Sequence, residues 1–263
     1  MLHRGLVRDL AGALPIIAVL AAVYLLPPDT SLGEVRATGT LRICMPPIDP
    51  PFVTGDAKAP GIDVEILQAL ARDLDLALAP VLEPAMMQDF NPRSWHITRA
   101  ACQMVAGGLA ASTTTRSFLE TSPPYAETGW ALLALKPIVD LHGRKIGVLA
   151  PPAGLDRIAL ASLLRAQAAQ VVIAASADAL VTGLRGGRFE AVITDKLTAD
   201  QIAAREDWSV DWLPGDPART PIAFGLWKGD LTLKRAVAGA LERLERAGTV
   251  AKILARYLGR EKA

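Results

Sequence analysis

Residues 40–74, TLRICMPPIDPPFVTGDAKAPGIDVEILQALARDL, restrict the fold more than any other part of the sequence. Leu41, Ile43 and Met45 alternate as one face of a short strand. A proline-rich loop carrying Phe52 follows and closes at Gly61. Leu67, Leu70, Ala71 and Leu74 then recur at helical spacing, with Asp63 expected as the N-cap. A strand, an irregular loop presenting an aromatic ring and a helix form the rim of a ligand crevice in an open α/β sheet.

The rest of the chain repeats this alternation. Strands are expected at 76–82, 102–109 and 129–135, and 137–142 reads as a boundary. A second α/β unit follows: strands at 145–149, 171–174 and 189–194, helices at 155–167, 177–185 and 197–205, and an edge strand at 208–213. Ser176 caps the second of these helices and Gly186-Gly187 ends it. Asp195 stands at the carboxyl end of its strand, where ligand-contacting groups project, and also where the helix at Leu197 needs a cap. A strand at 222–227, a helix at 231–246 and a last helix capped by Thr249 complete the order. The stretch 83–101, with Met86, Met87, Phe90 and Trp95 among prolines, shows no period.

Composition bounds the function. A chain of 263 residues that is 51% hydrophobic can bury a large core or two lobes. A formal net charge of +1 leaves no basic excess to replace counterions on a phosphate backbone, which argues against nucleic acid. His3, His96 and His142 are scattered, so no metal or other cofactor is expected. At the N-terminus Arg4 and Arg8 precede an uncharged apolar run over 10–26. That layout reads as a signal peptide or an N-terminal membrane anchor, with a linker to residue 38. Cys44 and Cys102 suit an oxidising compartment. Placed in neighbouring parallel strands they are offset by about 10 Å, so two buried free thiols are expected.

GTLRICMPPIDPPF with GIDVEILQALARDL resembles the opening of the bacterial extracellular solute-binding proteins of family 3, the periplasmic receptors of amino-acid ABC transporters. The likeness continues through ACQMVAGGL, TSPPYAETGWALLAL, DLHGRKIGV, ADALVTGLRGGRFEAVITD and FGLWKGDLTLKRAVAGALERLERAGTVAKILARYLG. It implies an α/β, two-lobed periplasmic-binding-protein-like fold of type II. Lobe one is then 39–134 with 223–263, lobe two 135–222, and two hinge strands cross near Leu133 and Phe224.

The resemblance also implies where a ligand would sit. Phe52 matches the aromatic that flanks it; the other reading of Phe52 is a ring that anchors its loop in the core. Asp195 matches the carboxylate that receives an ammonium group. Asp49, Gly108, Ala110 and Ala153 fall on the segments that would line the cleft. Arg116 is the candidate clamp on a ligand carboxylate, yet an ungapped comparison puts Thr115 on that position and Arg116 one residue later. Ala110 and the loop APPAG at 150–154 lack the hydroxyls that the family places there. Ordinary amino-acid specificity is therefore not expected.

Three functions follow. The first is a monomeric, exported periplasmic receptor, free or held to the inner membrane by its N-terminus. It would capture a small organic ligand, amino-acid-like or less polar, for an ABC permease. The second is an accessory protein of a periplasmic dehydrogenase or cytochrome without a transport role. It follows from the similar cysteine positions in a branch that resembles the partners of quinoprotein dehydrogenases. The third, an enzyme resembling the cyclohexadienyl dehydratases, needs an acid in the cleft. Glu127 and Asp195 are the candidates and neither has an evident basic partner, so an enzyme is not expected.

Overall fold

The computed structural model describes residues 29–88, 91–149, 155–216 and 218–259, and the isolated position 15. The expected signal or anchor segment, Phe90 and the loop with Ala153 lie outside them. In chain order the elements are α1 (Ser31–Thr38), β1 (Thr40–Met45), α2 (Ile62–Asp73), β2 (Ala77–Leu82) and β3 (Met104–Val105). Then come α3 (Thr113–Phe118), β4 (Glu120–Thr121), β5 (Ala126–Thr128), β6 (Trp130–Ala134) and β7 (Lys145–Val148). The next are α4 (Arg157–Ala166), β8 (Gln170–Ile173), α5 (Ala177–Arg185), β9 (Ala191–Asp195) and α6 (Lys196–Glu206). Last are β10 (Ser209–Trp212), β11 (Thr220–Ile222), β12 (Gly225–Leu226), α7 (Leu231–Arg246) and α8 (Thr249–Leu258). Among the described residues no helix is long and apolar enough to cross a membrane.

Two five-stranded sheets carry the two lobes. The first runs β2-β1-β3-β12-β4 and the second β10-β6-β9-β7-β8. In the first, β1 pairs in parallel with both β2 and β3; in the second, β7 does so with β8 and β9. Each sheet thus has a switch point, between β1 and β3 and between β7 and β9, where the outgoing loops part and leave a crevice. Pro80 is confined to the edge strand β2, where its missing N–H costs no ladder bond. Leu41, Ile43, Ile62, Leu67, Leu70, Phe224, Val237 and Leu241 pack the first lobe. Ile146, Leu160, Leu164 and Ile193 pack one face of the second sheet, and Leu180, Leu184, Phe189 and Val192 the other.

The lobes are joined by β5 and β11, which pair antiparallel with Glu127 opposite Pro221. The crossing therefore lies upstream of Leu133, which sits inside the second sheet opposite Val192. All of β6 belongs to that sheet, before the boundary expected after Ala134. The single strand expected over 222–227 is two strands, because the chain leaves the crossing pair at Ile222 and enters the first sheet at Gly225. A Cβ on Gly225 would stand 2.8 Å from Leu119 and 2.9 Å from Leu109, so glycine lets β12 enter between β3 and β4.

Three local expectations are corrected. The linker ending at residue 38 contains α1, which buries Val35 and ties Ser31 Oγ to Thr232 Oγ1 at 3.1 Å. The cap of α2 is Gly61 and that of α8 is Gly248, not Asp63 and Thr249. Cys44 and Cys102 form a disulfide, with Cα atoms 5.6 Å apart. The register is the offset one, Cys44 opposite Val105, but the strand begins only at Met104. Cys102 lies in a turn whose N–H bonds back to Thr98 O at 3.1 Å, and that turn brings its sulfur over β1. The stretch with no sequence period supplies the surrounding wall, with Met86, Trp95 and Ile97 buried against the bridge.

Candidate functional site

The loop after β1 is closed on itself by Asp49 N–H to Val53 O at 2.6 Å and Val53 N–H to Asp49 O at 3.0 Å. This turns Phe52 inward, where it is 4% exposed and packs in the core. Its ring covers Gly108: a Cβ there would lie 2.4 Å from the ring, and φ is +62°. Phe52 thus packs as a core ring against the backbone of the opposing loop.

Asp63 holds these two loops together. It is fully buried in the first turn of α2. Its Oδ2 accepts the backbone N–H of Gly107 at 2.7 Å and of Gly108 at 3.0 Å, and its Oδ1 accepts the Tyr125 hydroxyl. Tyr125 in turn stacks on Phe224, centroids 4.8 Å apart. Burial pushes the Asp63 carboxyl up to about 6, against the three hydrogen bonds that favour its ionised form. The Tyr125 hydroxyl is pushed well above its ordinary range by burial and by Asp63. Sequence reading assigned Asp63 to a cap and missed this role. A signal was present, since 63, 67, 70 and 74 fall on one helical face and place a carboxylate in an apolar stripe.

On the second lobe Asp195 ends β9, opposite Trp130 of β6. It caps α6, its Oδ1 accepting Thr198 N–H at 3.1 Å. The Thr128 hydroxyl on the crossing strand lies 3.5 Å from the same oxygen. Oδ2 is buried with no partner, as is the neighbouring Thr194 Oγ1. Asp195 is 1% exposed, and burial raises its carboxyl above the usual range. Asp49, partly buried on the first lobe, is pushed up to about 8 by burial and then by the charges of Asp195 and Asp63. Asp195 thus meets the crossing strand β5 through Thr128, Asp63 meets Tyr125 just before that strand, and Asp49 is raised in part by the charges of both.

The remaining candidates divide. Gly108 and Ala110 lie at this rim, Ala110 buried and bridged to Ile222 of β11. Arg116 is exposed on α3, while Thr115 is turned in with its hydroxyl 3.1 Å from Ser112 Oγ. Glu127 is exposed on β5. Among the described residues no cluster of His, Cys, Asp and Glu is arranged for a metal.

The model of the bacterial extracellular solute-binding proteins, family 3, matches residues 41–260. The chain belongs to that family. Among curated proteins none matches the sequence closely enough to count as a relative. Of solved structures, an ancestral cationic amino acid solute-binding protein has 21% identity and a TM-score of 0.71, over 87% of this chain and 99% of its own. An amino acid ABC transporter substrate-binding protein from Streptococcus pneumoniae, bound to L-arginine, has 20% identity and a TM-score of 0.64, over 86% and 97%. An arginine-binding protein variant from T. maritima has 18% identity and a TM-score of 0.60, over 88% and 100%. At these identities the likeness establishes the fold, and this family member is an α/β protein of two lobes joined by two crossing strands.

The raised carboxyls give the family member a pH signature. A carboxyl raised in the folded state contributes stability that is full below its unfolded value near 4 and is lost as pH rises through the folded value. For Asp49 the window runs from about 4 to about 8. The melting midpoint of the ligand-free protein is expected to fall by several degrees from pH 5 to pH 8. Asp49→Asn should flatten that slope in thermal scans across the same range; an unchanged slope would show that Asp49 is not the group responsible.

Proposed function

We propose that the protein is an extracytoplasmic receptor that captures a small organic solute between its lobes and delivers it to an ABC permease. The observation that carries this reading is the buried, unpartnered Oδ2 of Asp195 beside the crossing strands. An orphaned buried carboxylate oxygen is costly unless a ligand completes it. The family's extracellular setting and a disulfide that needs an oxidising compartment support export. The ancestral cationic amino acid solute-binding protein and the Streptococcus pneumoniae protein bound to L-arginine support a nitrogenous ligand. Lobe one is then Ser31 to β5 with β12 to the C-terminus, and lobe two β6 to β10.

Native mass spectrometry of protein taken from its own cell envelope, followed by thermal shift with amino acids, amines, organic acids and sugars, tests this. A bound solute that raises the melting midpoint is expected. No bound mass and no shift across the panel would sink it.

The disulfide favours a second reading. It joins the two cysteines whose positions resemble those of the quinoprotein-dehydrogenase-associated branch, so the protein would serve as a partner of such an enzyme. Recovery of a dehydrogenase or c-type cytochrome with the native protein, and no solute, would support this reading over the first.

A further inference from the structure

Helices α2 and α8 of the first lobe pack side by side and run in opposite directions. Near the start of α2, Gly61 N–H donates to the Tyr257 hydroxyl at 2.9 Å, and Glu65 accepts from that hydroxyl at 2.7 Å and from the Arg256 guanidinium. Near the end of α2, Arg72 shares a cavity with Thr249, the first residue of α8. This cavity, of about 380 Å³, has the buried Ala69 and Ile253 along its middle and the loop with Lys58 and Pro60 at one end. Its charged lining is Lys58, Glu65, Arg72 and Arg256, and Glu65 is already engaged by Arg256 and Tyr257. Among the described residues Lys58 and Arg72, both exposed, have no carboxylate partner. The carboxylates beside them in sequence are otherwise used: Asp56 accepts the Lys58 backbone N–H at 2.9 Å, and Asp73 holds Arg243. The Arg72 Nε–H bonds Gln68 O at 3.1 Å, which leaves its terminal nitrogens free.

Two unpaired cations thus stand at the two ends of an open groove with an apolar middle. The helical rise from Glu65 to Arg72 is about 10 Å. A single small oxyanion cannot reach both ends. A peptide in the polyproline II conformation rises about 3.1 Å per residue and repeats every three, so acidic residues three apart fall on one side about 9 Å from each other. Each would meet one of the two free heads in a charge-assisted hydrogen bond. We propose that this groove docks an extended acidic segment of a protein partner, with acidic residues three positions apart. The proposal does not depend on a solute in the cleft.

Fluorescence anisotropy on the full chain tests this, in dilute salt where screening is weak. The probe is a labelled peptide with glutamate at every third position and alanine between. It should bind about tenfold or more tightly than its glutamine counterpart. Lys58→Ala and Arg72→Ala should each weaken binding about threefold, and the double variant about tenfold. Both side chains are exposed, so the variants are expected to fold, and their melts check it. Lys145→Ala, which removes an exposed cation of the second lobe, should change nothing. No binding, equal binding of the glutamine peptide, or an equal loss with Lys145→Ala overturns the proposal. Displacement of the peptide by inorganic phosphate beyond that by chloride at equal ionic strength would make this a small-anion site instead. Capture by phosphatidylglycerol vesicles that the double variant abolishes would make it a membrane contact, and either result also overturns the proposal. All of these outcomes leave the receptor reading where the solute panel puts it.

Discussion

Removing the Cys44–Cys102 bridge, by the double variant Cys44→Ala with Cys102→Ala, is expected to cost about 4 kcal/mol of stability. The bridge spans a sequence separation of 58, and a loop of that length gives up much closure entropy in the unfolded chain. For a protein of this size the melting midpoint should drop by roughly 10 °C, measurable by calorimetry. A local readout accompanies it. Trp227 Nε1–H donates to Cys102 O at 2.7 Å, and its ring meets Phe118 at 5.8 Å. Loss of the bridge should loosen the turn at 98–102 and shift tryptophan emission to the red. Both cysteines are buried, so reductant should act on the unfolded protein far faster than on the folded one. A loss below ~1 kcal/mol would show that the bridge does not constrain the chain as its span requires.

That bridge also marks where sequence reading stopped. The parallel register and its three-residue offset are deducible from pattern, and both hold. The turn that lifts Cys102 out of line is set by tertiary contacts with Met86 and Trp95 in a stretch without a period. Helix α1 escaped for a related reason: only Val35 and Ser31 of its eight residues are buried, so no apolar stripe announces it. Strand β6 was visible as an apolar run, but its partner sheet was not. A run buried on both faces carries no sign of which lobe holds it. At the site, Asp195 was legible because a strand end and a helix cap coincide there. The influence of Asp195 on the Asp49 carboxyl was not, because it depends on how the two sheets meet across β5 and β11.

Asp63 offers the sharpest separation of structural from electrostatic roles. Replacing it with Ala leaves the N–H groups of Gly107 and Gly108 and the Tyr125 hydroxyl without their acceptor. Each unsatisfied buried group costs about 1–3 kcal/mol, so Asp63→Ala should lose roughly 4 kcal/mol in urea unfolding. Asp63→Asn is a different case. Its carbonyl oxygen can take both glycine N–H groups, and its amide can donate to the Tyr125 oxygen. The amide also carries no charge into the interior. In the wild type that burial outweighs the three hydrogen bonds, since the carboxyl is raised to about 6. The stability it contributes is therefore full below about 4 and lost as pH rises through 6. Relative to wild type, Asp63→Asn should fare worst near pH 4 and recover by pH 8, whereas Asp63→Ala should stay the less stable variant throughout. If Asn matched Ala at pH 8, the hydrogen bonds would need a full carboxylate, and the raised carboxyl of Asp63 would be excluded.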